Sequence, residues 1–269
     1  MRVTSFMPWP GAVLVAGMLL VGRTAAAAAD EGDIRVMTSG AFTAAYLELI
    51  PQCTPATGDT VVTAATSMGT GLAFIPSRLQ RGEAADIVIV DDTALRQMIT
   101  DGLVMPDSRV ALARSSIGMA VRAGAPKPDI SSVDALRSTL LKATSIAYSA
   151  SVSGLYLSSE LFQRLGIADQ VLAKSRKVEG ERVGAVVARG EAEIGFQQIS
   201  ELLPVPGIDY VGPLPSLVQR TSVFSAGVVA ASKNPSAARA LIACLASPAA
   251  APTITKSGME PMVVKGIAD

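Results

Sequence analysis

Apolar and polar positions alternate in short bursts along most of this chain, separated by runs with helical spacing. Asp33 to Thr38 (DIRVMT) reads as a strand, and Ala41 to Ile50 carries apolar residues at helical spacing as far as Pro51. Thr60 to Ala65 is β-branched and predicts a second strand. Ile75 to Gln80 opens a helix with Pro76 in its first turn. Ala85 to Val90 (ADIVIV) reads as a buried strand, and Thr93 to Asp101 as a helix ended by Gly102.

A second series follows. Ile117 to Arg122 predicts a strand, and a Pro-rich connector leads to a helix over 132–142 capped by Ser131 or Ser132. Strands are expected at 145–148, 192–196 and 223–230, and helices at 154–165, 183–189 and 235–246. Strands and helices alternate throughout, which argues a parallel α/β sheet.

The first residues have a different pattern. Arg2 precedes an apolar run from Ala12 to Gly22, followed by Ala-x-Ala sites up to Ala29. The run is too short to span a bilayer and reads as a secretory signal peptide over 1–29, so no membrane insertion is expected after cleavage. The mature chain is then expected to be periplasmic, and losing Arg2 and Arg23 leaves it slightly acidic.

Composition narrows the chemistry. The formal net charge of the whole chain is zero, which speaks against nucleic acid as a partner. The chain holds no His, so triads, His ligands and imidazole bases are excluded. Cys53 and Cys244 are too few for a zinc site, so neither metal nor cofactor is expected. Export permits a disulfide between them, the alternative being two separate buried thiols; the spacing leaves both open.

Several polar loops share one context, in which a strand ends, small polar residues follow and a helix begins. These are Ser39-Gly40, Ser67-Met68-Gly69-Thr70, the run Ser149, Ser151, Ser153, Gly154, and the loop Glu179 to Gly184 with Arg182. Helix N-termini hold anions through unpaired N–H groups, and such loops gather at the C-terminal ends of strands. Each Ser or Thr would otherwise only cap its own helix. Together they suggest a cradle for a small anionic ligand, with the glycines permitting close backbone approach and Arg182 able to pair with a carboxylate.

The chain resembles the type II periplasmic solute-binding proteins, in the branch that holds the molybdate-binding proteins of ABC importers. The resemblance rests on VMTSGAF (36–42), RLQRGEAADIVIV (78–90), VVARGEAEIGF (186–196) and NPSAARALIACLASPAA (234–250). It implies an α/β fold of two lobes joined by two crossing strands, with a ligand cleft between the lobes. One lobe would be 30–116 plus 226–269 and the other 117–225, and the protein would be a monomer that serves an ABC permease.

Two features set the chain apart from molybdate binders. The second loop reads SMGTG (67–71), and Gln198 stands where those proteins place a Tyr. SMGTG, AVRAGAPKPDIS (120–131), AYSASVSGLYLS (147–158) and GAVVARGEAEIGFQQISEL (184–202) resemble a sister group that includes a periplasmic aconitate isomerase. The leading expectation is therefore a binding protein for a carboxylate or oxyanion. The alternative is an isomerase that moves an allylic proton of aconitate. That reaction needs a base, for which Tyr156 is nearest to the Ser-rich loop and Glu181 the next acid.

Overall fold

The computed structural model describes residues 32–57, 60–64 and 72–262. The expected signal peptide and the loop residues Ser67, Met68, Gly69 and Thr70 lie outside the described residues.

Two sheet regions share one long strand. In the first, β1 (Ile34–Thr38) lies between β2 (Val61–Ala64) and β3 (Ile87–Asp91), parallel to both. The second contains β5 (Ile146–Ser149), flanked in parallel by β6 (Ser175–Val178) and β7 (Ile194–Gln198). β4 (Val110–Arg122) joins them. Its residues Val110 to Ser116 pair with β9 (Thr221–Val228), and Ile117 to Arg122 pair with β7 and β8 (Ile208–Pro213). β9 also pairs with β3, and β10 (Glu260–Pro261) with β4.

All pairings of β4 and β9 are antiparallel, so the expected parallel sheet is corrected to a mixed one. Each region keeps its parallel core. β9 enters the first region at Thr221, ahead of the lobe boundary expected at 226.

Burial follows from the sequence period. In β1 the burial of Ile34, Val36 and Met37 leaves Arg35 at the margin, and its N–H is held by Asp86 Oδ2 at 2.8 Å. Helix α1 (Gly40–Thr57) lays Phe42, Tyr46, Leu49 and Cys53 against Leu241, Ile242 and Leu245 of α10 (Pro235–Leu245). α1 runs on through Pro51 and Pro55, where the sequence pattern predicts a stop. Proline there removes an N–H donor and weakens the helix without breaking it. Cys53, between the two prolines, is bonded to Cys244 of α10, with Cα atoms 5.7 Å apart.

The remaining helices are short. α2 (Ile75–Gln80) and α3 (Asp92–Thr100) flank β3, and α4 (Val133–Lys142) is capped by Ser132, whose Oγ accepts from the Ala135 N–H at 3.1 Å. α5 (Val152–Tyr156) continues through a π-turn into α6 (Phe162–Arg164), which ends at Gly166 with φ +66°. After α7 (Ala168–Leu172), α8 (Val183–Ala188) ends at Gly190 with φ +75°. Both glycines stand where an L side chain would be strained. α9 (Ile199–Leu202) follows β7 without a loop, and α11 (Ala251–Lys256) packs near α1.

Candidate active site

The C-terminal ends of β1 and β3 and those of β5 and β7 face a common cavity of about 490 Å³. Ser39, Gly40, Ser149, Ser151, Arg182 and Gln198 all lie on its wall.

Ser39 precedes α1 and is almost fully buried. Its backbone is committed, because its N–H donates to the Ile89 carbonyl at 2.8 Å and its carbonyl accepts from Thr43 Oγ1 at 2.9 Å. Among the described residues its hydroxyl has no partner. A buried hydroxyl without a partner costs about 1–3 kcal/mol, which a ligand oxygen would relieve.

Ser149 ends β5, and its Oγ lies 2.8 Å from Ser151 Oγ and 2.9 Å from Ser153 Oγ. The three hydroxyls order one another, and Ser149 and Ser151 reach the cavity wall. Ser153 and Gly154 do not. A Cβ at Gly154 would stand 1.7 Å from the Ser149 carbonyl oxygen, so the close approach that requires glycine is to the protein's own strand.

Arg182 precedes α8 and is half-buried, with no side-chain hydrogen bond or ion pair among the described residues. Gln198 is buried at the β4 crossing. With its amide nitrogen turned to β4, it donates to Ser115 Oγ at 2.9 Å and to the Ser116 carbonyl at 3.2 Å. It braces the junction between the sheet regions as well as lining the cavity.

Tyr156 is corrected as a base. It is absent from the cavity wall and sits in the core of the second region, where its hydroxyl donates to the Val218 carbonyl at 2.7 Å. Burial raises its pKa further, which makes it a worse base still. Tyr156→Phe should leave chemistry in the cavity unchanged within about twofold. It should cost about 1–2 kcal/mol of stability, read by denaturant unfolding, through the lost hydrogen bond. A large loss of activity would return Tyr156 to the site. Glu181 does reach the cavity but is exposed, and both its oxygens accept from Arg189, at 2.9 and 3.0 Å. Those bonds lower its pKa and leave it a weak base.

The acid that sequence reasoning missed is Glu201, in α9. It lies on the cavity wall and is only 8 % exposed. Burial pushes its carboxyl up to about 7, against the pull of Arg182's positive charge and a hydrogen bond from Gln197. Gln197 is itself anchored, since its Oε1 accepts the Val183 N–H at 2.8 Å. Glu201 lies across from the start of α1, where a Cβ on Gly40 would stand 2.2 Å from Glu201 Oε1. Gly40 therefore makes room for this carboxyl. Asp91, the other missed acid, caps α3 by accepting from the Ala94 N–H at 3.1 Å, and burial raises its pKa. The sequence carried one signal for Glu201: a lone acid inside the apolar stretch Ile199 to Leu203, directly after a strand.

Two α/β lobes, joined by antiparallel strands around a hydroxyl-lined cavity, define the type II periplasmic-binding-protein-like class. The chain belongs to the bacterial extracellular solute-binding protein family, whose model matches residues 34–260, and it is periplasmic. It is 47 % identical over 251 residues to an aconitate isomerase from Pseudomonas sp., covering 93 % of this chain and 96 % of that one. Among solved structures it is similar to the sulfate-binding protein of Mycobacterium tuberculosis H37Rv, with TM-score 0.67 and 16 % identity, covering 86 % of this chain and 87 % of that one. It is also similar to the periplasmic molybdate-binding protein of Azotobacter vinelandii, with TM-score 0.64 and 18 % identity, covering 84 % of this chain and 98 % of that one.

Proposed function

We propose that the cavity is an active site and that the chain isomerises aconitate, with Glu201 as the base. The carrying observation is the buried Glu201 carboxyl, its pKa raised to about 7, on the wall of a cavity that also presents Arg182 and the Ser149 and Ser151 hydroxyls. A receptor that hands an anion to an ABC permease gains nothing from an acid there, since like charges repel. A proton-transfer enzyme without histidine can use one as its base when the pKa lies near the working pH. The identity to the Pseudomonas aconitate isomerase over nearly the whole chain supports the same reading.

The reaction balances with one residue. The Glu201 carboxylate takes a proton from the CH2 of aconitate, and the electron pair spreads over the three-carbon allyl unit and its carboxylates. Glu201 then returns the proton to the opposite terminal carbon, and the double bond moves across. The geometry in which the allyl unit is held decides whether the cis or the trans isomer leaves. Arg182 and the pair Ser149 and Ser151 hold the substrate carboxylates and stabilise the charge as it delocalises.

The test is direct. Purified protein mixed with cis-aconitate in D2O should form trans-aconitate, followed by NMR. Absence of any interconversion discards the enzyme reading. Arg182→Ala should weaken aconitate binding roughly ten- to hundredfold, because a lost hydrogen bond to a charged group is worth about 1.5–3 kcal/mol. Thermal shift measures it, since ligand at 100 times its Kd adds about 2.7 kcal/mol to wild type. An unchanged shift in the variant removes Arg182 from the site.

A further inference from the structure

The tip of α1 has the makings of an anion position. This 18-residue helix presents its first-turn amides and positive dipole end beside Ser39, whose hydroxyl is buried and has no partner among the described residues. The position is already covered from the other lobe. Glu201 Oε1 crowds Gly40, the first residue of α1, so closely that even a methyl group at Gly40 would overlap it.

We infer that Glu201 is the specificity-determining residue of the cleft: it fills the anion position at the tip of α1 and closes it to compact tetrahedral oxyanions. Two effects act together. The side chain takes the volume, and an ionised carboxylate repels a second anion in a buried setting. Recognition then falls to Arg182 and the Ser149 and Ser151 hydroxyls, which suit carboxylates spread over a carbon skeleton. The other charged groups on the cavity wall do not duplicate the role. Glu179 is paired with Lys177 and Glu181 with Arg189, Asp91 is tied to the Ala94 amide, and Arg182 carries the opposite charge.

The inference shares its cleft with the isomerase reading but not its chemistry. Sulfate and molybdate are titrated calorimetrically into wild type, Glu201→Gln and Glu201→Ser at pH 8, where Glu201 is mostly ionised. Wild type should show no saturable binding. Glu201→Ser, which removes both bulk and charge, should bind at least one oxyanion roughly tenfold or more tighter than wild type, with Glu201→Gln in between. Wild-type binding as tight as that of the Ser variant overturns the inference, and so does a folded Ser variant with no gain. If the variants do not fold, wild type alone still decides. Its oxyanion binding, not saturable at pH 8, should become measurable at pH 6, and a flat response overturns the inference. Turnover lost in Glu201→Gln without any oxyanion gain overturns the filter and leaves the base standing. Oxyanion binding gained with aconitate turnover intact does the reverse.

Discussion

Glu201→Gln should lower aconitate turnover by about 10²–10⁴-fold, the usual contribution of a positioned general base, while making the protein more stable at pH 8. Glutamine keeps the shape and cannot accept the substrate proton. The stability gain follows from linkage. The folded-state pKa of Glu201 is raised to about 7 by burial, above the ordinary value of 4.5. The folded chain therefore holds a proton that the unfolded chain has released between those values. This contribution is fully present below about pH 4.5 and is lost as pH rises through about 7. At 1.36 kcal/mol per pKa unit the loss is about 3 kcal/mol. The Gln variant does not titrate there, so its unfolding free energy should change less between pH 5 and pH 8 and exceed wild type's at the upper end. Denaturant unfolding of both proteins at both pH values checks it. A variant that keeps a tenth of the activity removes Glu201 as base. One that is no more stable than wild type at pH 8 contradicts the raised carboxyl. Gains in stability from removing a group that function requires are a common signature of active sites.

Much of the fold could be read from pattern because burial follows period. ADIVIV is buried because β3 has neighbours on both sides, and the expected helix ends at Gly102 and Gly190 coincide with positive φ. What escaped the sequence depends on contacts between distant segments. β6 (SRKV) exposes Arg176 and Lys177 at the sheet edge, so its apolar signal is a single Val178. Charged edge strands are protected in this way against pairing with other chains. The antiparallel pairing of β4 with β9 joins residues about a hundred positions apart, which no local pattern encodes.

The site divides along the same line. Ser39, Ser149 and Arg182 sit where strands end, a rule that sequence alone can apply. Glu201 follows the same rule after β7, but α9 is only four residues long and offers no periodicity to mark it. Its raised pKa comes from burial beneath the other lobe, which is a tertiary fact. Tyr156 was misplaced because helix phase decides whether a side chain one turn past a loop faces the cavity or the core. Here it faces Val218.

Removing the cross-link, by Cys53→Ser with Cys244→Ser, should cost about 2–5 kcal/mol and lower the Tm by roughly 5–15 °C. The bond closes a loop of 191 residues, long enough for chain entropy to allow about 5 kcal/mol as an upper figure. It also acts where local structure is weakest. Pro51 and Pro55 each remove a helical N–H donor from the end of α1, and Thr54 Oγ1 bonds back to the Ile50 carbonyl at 2.8 Å. That segment packs against α10, and Cys53 is its buried anchor. The start of α1, by contrast, faces Glu201 and the cavity. The double variant should therefore lose stability while keeping aconitate turnover within a few-fold at temperatures well below its Tm. Thermal unfolding and activity, measured together, separate the outcomes. An unchanged Tm would mean that packing of α1 on α10 suffices alone. Loss of turnover in the folded variant would mean that the disulfide also sets the position of the helix tip against which Glu201 is pressed.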